Sequence, residues 1–160
     1  MDEKKIYEIL ESVKDPEIPV LSIADLGILR NVEIAEKGKL IITITPTYSG
    51  CPAMDTIEDD IVSVLNSAGY EAEVKTSISP AWTTDWMTEK GRKNLEAYGI
   101  APPAESTTDK SFLTGSPKEV KCPQCKSSNT EIISYFGSTA CKSLYKCKNC
   151  LEPFDYFKCI

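Results

Sequence analysis

In the first hundred residues, apolar positions recur at helical spacing in some segments and alternate with polar positions, as in strands, in others. Residues 6–13 carry apolar side chains at helical spacing, and residues 54–65 do so again with acidic residues between them. Two β-branched stretches lie between these helices, and the polar turn at residues 36–39 that joins them predicts a β-hairpin. The alternation over residues 71–78 predicts a third strand with one face in water, and a helix ending at Tyr98 follows. The pattern therefore predicts the order helix, strand, strand, helix, strand, helix.

This periodic pattern ends after Tyr98. Residues 100–117 are rich in Pro, Ser, Thr, Gly and charged residues, which predicts a linker. Residues 118–160 contain short apolar stretches between cysteine pairs, which predicts a small β domain. We therefore expect an α+β protein with three parts: a domain with a small mixed sheet and helices over residues 1–99, a linker over residues 100–117, and a β domain over residues 118–160.

Charge and composition exclude several functions. Residues 1–117 carry 20 acidic against 11 basic residues and residues 118–160 carry 4 against 7, so their net charges are −9 and +3. An acidic main domain disfavours nucleic acid as a partner. The chain contains 0 histidines, which excludes Ser-His and Cys-His hydrolases and HExxH metalloproteases. No apolar run approaches the roughly 18 residues that span a bilayer, and no signal-peptide pattern is visible, so we expect a cytoplasmic protein.

Cysteine is then the residue type expected to carry any chemistry, and Cys51 lies between a predicted strand and a predicted helix. Gly50 permits a tight turn and Pro52 fits the first helical position, so Cys51 is the predicted N-cap residue. Unpaired N–H groups and the helix dipole at that position lower a thiol's pKa and favour the thiolate. Two alternatives stay open: Cys51 is a small buried packing residue, or nearby acids hold its pKa up.

The strongest chemical signal is a pair of CxxC motifs in the β domain. Two such knuckles can close a tetrahedral cage of thiolates, and about forty residues need such a staple in order to fold. We therefore predict a zinc ribbon, with iron, disulfides or redox dithiols as alternatives. The predicted ligands are Cys122, Cys125, Cys147 and Cys150. Two surplus cysteines, Cys141 and Cys159, are either spectators or auxiliary thiols that join Cys51 in a transient metal or cluster site.

Two further segments of the first domain carry open alternatives. Asp15 and Glu17 lie between prolines, where their carboxylates either serve a site or cap and solvate the turn. Trp82 and Trp86 either pack in the core or form a lid over the cysteine corner. Thr84 is the predicted N-cap of the helix that follows.

Several motifs, taken together, resemble known families. Three of them resemble the MIP18 (DUF59) domain of iron–sulfur cluster assembly and carrier proteins, and that match spans residues 3–98: Asp15-Pro16-Glu17-Ile18-Pro19, Asp25-Leu26-Gly27, and the segment from Thr45-Pro46 to Gly50-Cys51-Pro52. Others extend the resemblance to nearly the whole chain. They are similar to the PaaD (also called PaaJ) family of the bacterial phenylacetyl-CoA epoxidase system: residues 79–86, 98–103 and 136–142, and Glu152-Pro153-Phe154.

This resemblance implies an accessory subunit without catalytic activity of its own. In phenylacetate degradation, such a subunit would assist the assembly or delivery of an iron–sulfur or iron centre. The implied partners are the reductase and oxygenase subunits of that system. Cys51 would be the cluster-handling thiol, in a neighbourhood that the resemblance assigns to Asp15, Glu17, Asp25 and Thr83. Because one thiol cannot hold a cluster, a homodimer or the auxiliary thiols would complete the ligands.

Two rival functions remain open. In the first, the protein is an adaptor whose zinc ribbon docks epoxidase subunits while Cys51 is only structural. In the second, it is a thiol-disulfide enzyme, which would need Cys141 or Cys159 as a resolving cysteine near Cys51.

The residues before Gly50, Tyr48-Ser49, depart from MIP18 domains in general, which commonly have a proline beside this glycine.

Overall fold

The computed structural model describes residues 2–103 and 119–158, and these form two compact units. The first unit comprises the chain up to Trp82 together with Trp86–Gly91. The second comprises Thr83–Asp85 and the described chain from Arg92 on. The division therefore falls inside the last helix, whereas the sequence pattern predicted one domain over residues 1–99. No helix among the described residues has the length and apolarity needed to cross a membrane.

The first unit is a three-stranded sheet with helices. Its elements in chain order are α1 (Glu3–Leu10), β1 (Leu29–Ile34), β2 (Leu40–Ile44), α2 (Ala53–Ser67) and β3 (Ala72–Thr76). The strands lie in the order β1-β2-β3, with β1 antiparallel and β3 parallel to β2. The predicted hairpin is thus present, and α2 is the crossover that parallel strands require. The mixed sheet with helices confirms the predicted α+β class.

Periodic apolar residues form the core of this unit. They come from one face of each helix and from alternate positions of β2, whose burial pattern is buried, intermediate, buried, intermediate, buried. The following side chains are all 0% exposed: Ile6, Leu10, Leu40, Ile42, Ile44, Ile57, Ile61 and Leu65. The strand β2 is central because both of its edges are paired and its alternate residues are buried.

The second unit is a four-stranded sheet with most of α3 (Glu89–Tyr98). Its strands are β4 (Ile100–Ala101), β5 (Thr130–Ser134), β6 (Lys142–Cys147) and β7 (Pro153–Phe157), in the order β4-β7-β6-β5. The strand β4 runs parallel to β7, and the other pairs are antiparallel. The predicted linker thus begins with two residues that form a strand, because Ile100 and Ala101 pair with β7, and both are buried. Residues 104–117 of that linker lie outside the described residues.

The start of α3 differs from the prediction. Thr84 lies in a short 3-10 turn, Thr84–Trp86, and α3 begins only at Glu89. Thr88 caps this helix, since its hydroxyl oxygen accepts the N–H of Gly91 at 2.9 Å. That bond satisfies one of the amide donors that the first turn of a helix leaves unpaired, so it fixes where α3 can start.

Candidate functional site

Cys51 lies at the corner between β2 and α2, as the sequence predicted. Gly50 adopts a positive φ of 82°, a left-handed conformation that favours glycine, and turns the chain toward the helix. The N-cap residue of α2 is Pro52 rather than Cys51, and α2 begins at Ala53. The prediction was therefore wrong by one residue, although Pro52 already has helical dihedrals, at φ −69° and ψ −17°, as a residue in the first helical turn does.

Opposing interactions surround the sulfur of Cys51, which is half-buried. Burial is the largest of these, and together with the negative charges of Glu17 and Asp15 it raises the thiol's pKa. The N–H of Ala53 and the hydroxyl of Tyr48 donate hydrogen bonds to the sulfur, which lower the pKa but are outweighed. The expectation of a lowered pKa was therefore wrong, and the alternative in which acids hold it up is correct, with burial as the larger cause.

Asp15 and Glu17 are near Cys51, because the charges of both carboxylates act on its thiol. The carboxylate of Asp15 is only 7% exposed and accepts the backbone N–H groups of Glu17 and Ile18, each at 2.8 Å. Asp15 therefore caps its own turn, as one of the two interpretations held. These hydrogen bonds do not show whether Asp15 and Glu17 also help Cys51 to handle a cluster, so that assignment stays a prediction.

Asp25 holds the beginning of α3. Its carboxylate, 4% exposed, accepts the hydroxyl of Thr88 at 3.0 Å and the N–H of Ser22 at 3.4 Å, and Lys90 Nζ lies 3.9 Å away. These contacts account for its burial without any cluster. Thr83 belongs with the second unit. The predicted place of both residues beside Cys51 stays a prediction.

The two tryptophans pack against the Asp25-Leu26-Gly27 turn. Trp82 is 4% exposed, and its indole N–H donates to the carbonyl oxygen of Leu26 at 2.8 Å. A Cβ at residue 27 would lie 2.6 Å from the Cβ of Trp86, so only glycine fits there. The guanidinium of Arg30 lies 3.5 Å from the centre of the Trp86 ring. These contacts favour the packing interpretation for Trp82.

In the second unit, the four predicted ligands come together. Their sulfur atoms all lie within 4.8 Å of one another. The Sγ atoms of Cys122 and Cys150 are 3.7 Å apart, and those of Cys125 and Cys147 are 3.5 Å apart. A tetrahedral zinc site with bonds of about 2.3 Å has sulfur-to-sulfur edges of about 3.8 Å, so the cluster fits a single metal ion.

The two knuckles that carry these cysteines have the same backbone geometry. The N–H of Cys122 donates to the carbonyl oxygen of Ser127 at 2.9 Å, and the N–H of Cys147 donates to that of Glu152 at 3.0 Å, five residues on in both cases. The residue after each second cysteine has positive φ, 63° at Lys126 and 65° at Leu151. This repetition shows that the two knuckles share one turn geometry, which directs their sulfurs at one centre.

The thiols of the cluster share charge unequally. The backbone N–H of Cys150 is the main cause that lowers the pKa of Cys147 to about 6. The N–H of Glu152 lowers the pKa of Cys150, but burial and the neighbouring thiols outweigh it and raise that pKa to about 12. Cys147 therefore ionises readily, whereas Cys150 resists ionisation because a second negative charge would lie close to the first. A bound cation would remove this repulsion between the two thiolates.

The surplus cysteines have different outcomes. Cys141 is 4% exposed, and its sulfur lies 3.1 Å from the Thr139 hydroxyl oxygen. Its burial just before β6 suits the spectator interpretation. Cys159 lies outside the described residues.

Tyr48 was missed as a partner of Cys51. Its position three residues before the cysteine in a tight turn is the signal that could have found it.

Comparisons with known proteins agree with both units. Residues 106–158 match the family described as the PaaD zinc beta ribbon domain, and residues 3–76 match the family described as an iron–sulfur cluster assembly protein. A protein of Escherichia coli (strain K12), provisionally named as the D component of 1,2-phenylacetyl-CoA epoxidase, is 49% identical over 157 residues. That similarity covers 98% of this chain and 92% of the relative. The chain belongs to the PaaD family.

Other relatives match a smaller part of this PaaD-family protein. An Fe–S protein maturation auxiliary factor of Porphyromonas gingivalis (strain ATCC BAA-308 / W83) is 36% identical over 95 residues, which cover 58% of this chain and 90% of the relative. The crystal structure of a DUF59 domain from Bacillus anthracis is 33% identical, with a TM-score of 0.54. It covers 58% of this chain and 90% of that chain. The resemblances to the MIP18 (DUF59) and PaaD families are thereby confirmed.

Proposed function

We propose that this PaaD-family protein is a non-catalytic accessory subunit of a phenylacetyl-CoA epoxidase system in phenylacetate degradation. It assists the assembly or delivery of an iron–sulfur or iron centre, which it handles as cargo through Cys51. The four cysteines of the second unit hold a structural zinc ion. The reductase or oxygenase subunits of the system are the partners that receive the centre.

The observation that carries this proposal is the presence of two family matches in one chain. The part that contains Cys51 matches an iron–sulfur cluster assembly family over residues 3–76, while the epoxidase component of Escherichia coli matches 98% of the chain. A protein that combines these features connects cluster assembly with the epoxidase system. A catalytic role has no comparable support, since the chain contains 0 histidines and Cys51 has a raised pKa.

The surroundings of Cys51 indicate how it would take up cargo. Burial and the charges of Glu17 and Asp15 keep the thiol neutral at physiological pH. An incoming iron cation is attracted by the same two carboxylates and displaces the thiol proton when the iron–sulfur bond forms. The hydrogen bonds from Tyr48 and Ala53 then stabilise the resulting thiolate. Uptake therefore releases a proton and weakens as the pH falls.

Cys51 supplies only one of the four ligands that a cluster usually needs. It is the only cysteine before residue 122. The remaining ligands come from Cys51 of a second copy, from small thiols or from the recipient protein. Cargo held by so few protein ligands is released more easily than a resident cofactor, which suits delivery.

The test compares the wild type with Cys51→Ser and the matched control Cys141→Ser. Each protein is incubated anaerobically with iron and sulfide, and its metal and sulfide content and visible spectrum are measured. We expect every protein to keep one zinc ion, and only Cys51→Ser to lose the iron–sulfur chromophore. We expect the wild type and Cys141→Ser to transfer the cluster to the apo-reductase. Equal uptake and transfer by Cys51→Ser would refute the role of Cys51.

One observation favours a second candidate. Because burial is the main cause that raises the pKa of Cys51, the thiol could serve only as a packing residue. The protein would then be an adaptor whose zinc ribbon docks epoxidase subunits. In that case no protein takes up a transferable cluster, and zinc removal alone abolishes binding to the epoxidase subunits.

A further inference from the structure

The four-cysteine site has a covered side and an open side. Cys122 and Cys147, the first residue of each knuckle, are 0% exposed and belong to the apolar core of the second unit. Val120, Tyr145, Phe154, Tyr156 and Ala101 complete that core. Cys125 and Cys150, the second residue of each knuckle, are both exposed to solvent. A reagent dissolved in water therefore reaches the sulfurs from the side of the second cysteines.

Hydrogen bonds distinguish the two second cysteines from each other. The sulfur of Cys150 accepts the backbone N–H of Glu152, and the sulfur of Cys147 accepts that of Cys150 at 3.5 Å. These donors withdraw electron density and so lower the nucleophilicity of a metal-bound thiolate. Cys125 has a different neighbour, since its sulfur lies 3.5 Å from that of Cys147. Both second cysteines are exposed and each has the sulfur of a first cysteine nearby, since the sulfur of Cys150 lies 3.7 Å from that of Cys122. Cys125 is singled out because the N–H donor to the sulfur of Cys150 leaves that thiolate the weaker nucleophile.

We propose that Cys125 is the modification site at which peroxides and other electrophiles open the four-cysteine site and release its metal. The Cys125 thiolate attacks hydrogen peroxide, the O–O bond breaks, and a sulfenic acid and a hydroxide ion form. The Cys147 thiolate then attacks this sulfur, the S–O bond breaks, and a second hydroxide leaves as the disulfide forms. One peroxide is reduced and two thiolates are oxidised. The metal then retains two of its four ligands and dissociates.

This inference rests on the proposed occupation of the site by zinc and is independent of cargo handling at Cys51. A protein that fails to take up a cluster at Cys51 can still lose zinc through Cys125, and the reverse also holds. The two proposals therefore fail separately.

The experiment uses the full chain loaded with zinc and treated with limiting hydrogen peroxide or N-ethylmaleimide. Samples are quenched with an isotopically distinct alkylating reagent, so that mass spectrometry of the peptides ranks the cysteines by rate. A chromogenic chelator follows zinc release in parallel. We expect N-ethylmaleimide to modify Cys125 at least about tenfold faster than Cys122 and Cys147, because exposure selects the reacting thiolate. With peroxide, we expect zinc release to accompany a disulfide between Cys125 and Cys147.

Three outcomes would overturn the proposal. The first is that Cys150, Cys122 or Cys147 reacts before Cys125. The second is that zinc leaves while Cys125 is still unmodified, and the third is that modified Cys125 retains stoichiometric zinc. Reaction at Cys51, Cys141 or Cys159 is counted separately because the peptides are resolved, and Cys141→Ser serves as a matched control with an intact site.

Discussion

Replacement of Asp25 by alanine tests whether this residue is structural. The change removes the acceptor for the Thr88 hydroxyl and leaves the buried N–H of Ser22 without its contact. A hydrogen bond to a charged acceptor contributes about 1.5–3 kcal/mol, and an unsatisfied buried donor costs about 1–3 kcal/mol. The Ser22 contact is long, at 3.4 Å, so its share lies at the low end. Lys90, whose side chain is 62% exposed, adds little.

We therefore expect Asp25→Ala to lower the free energy of unfolding of the first unit by about 2–4 kcal/mol. Asp25→Asn keeps an oxygen acceptor and should lose only about 1 kcal/mol. Urea unfolding followed by tryptophan fluorescence measures both changes. Trp82 and Trp86, the 2 tryptophans of the chain, both belong to the first unit, so the signal reports that unit.

A double-mutant cycle with Thr88→Val isolates the hydrogen bond. Thr88→Val also removes the cap on Gly91, but the cycle cancels that effect. We expect a coupling energy of about 1–2 kcal/mol between the two positions. Strictly additive effects, or a loss below about 0.5 kcal/mol for Asp25→Ala, would refute this reasoning. Asp25→Ala with intact stability but no iron–sulfur uptake would instead place Asp25 in the site, as the resemblance implied.

Three other predictions concern the thiols and the knuckles. Alkylation of Cys51 by iodoacetamide should rise with pH through a pKa above that of an unperturbed cysteine, and Glu17→Gln should lower that pKa, both measured by mass spectrometry of the Cys51 peptide. Cys147→Ser, or metal removal by a strong chelator, should unfold the second sheet, since two ligands belong to its core; far-UV circular dichroism checks this. Leu151→Gly should stabilise the zinc-bound ribbon by up to about 1 kcal/mol in thermal unfolding, because it relieves the positive φ of an exposed side chain; a lower midpoint would contradict this.

The sequence predicted much of the fold because its signals are local. Helical periodicity in α1 and α2 and alternation in β2 report which faces are buried, and that is a property of neighbouring residues. The spacing of Cys122, Cys125, Cys147 and Cys150 likewise predicts the four-cysteine cluster, since each CxxC knuckle is a short turn whose geometry involves only neighbouring residues.

The errors occurred where long-range contacts decide the outcome. The helix α3 begins at Glu89 because Thr88 is held by Asp25, 63 residues earlier in the chain. Ile100 and Ala101 form a strand rather than part of a linker because β7, more than 50 residues later, supplies a parallel partner. Neither contact leaves a periodic trace in the local sequence, so pattern analysis could not find it.

The sequence by itself thus determined the order of the elements up to α3, the four-cysteine cluster and the place of Cys51 at the corner before α2. Only the tertiary structure decided that the pKa of that thiol is raised. A helix N-terminus lowers a cysteine's pKa, but burial and two carboxylates from the turn after α1 outweigh this effect at Cys51. Desolvation and charge depend on everything that surrounds a group in space, and the sequence determines those surroundings only through the complete fold.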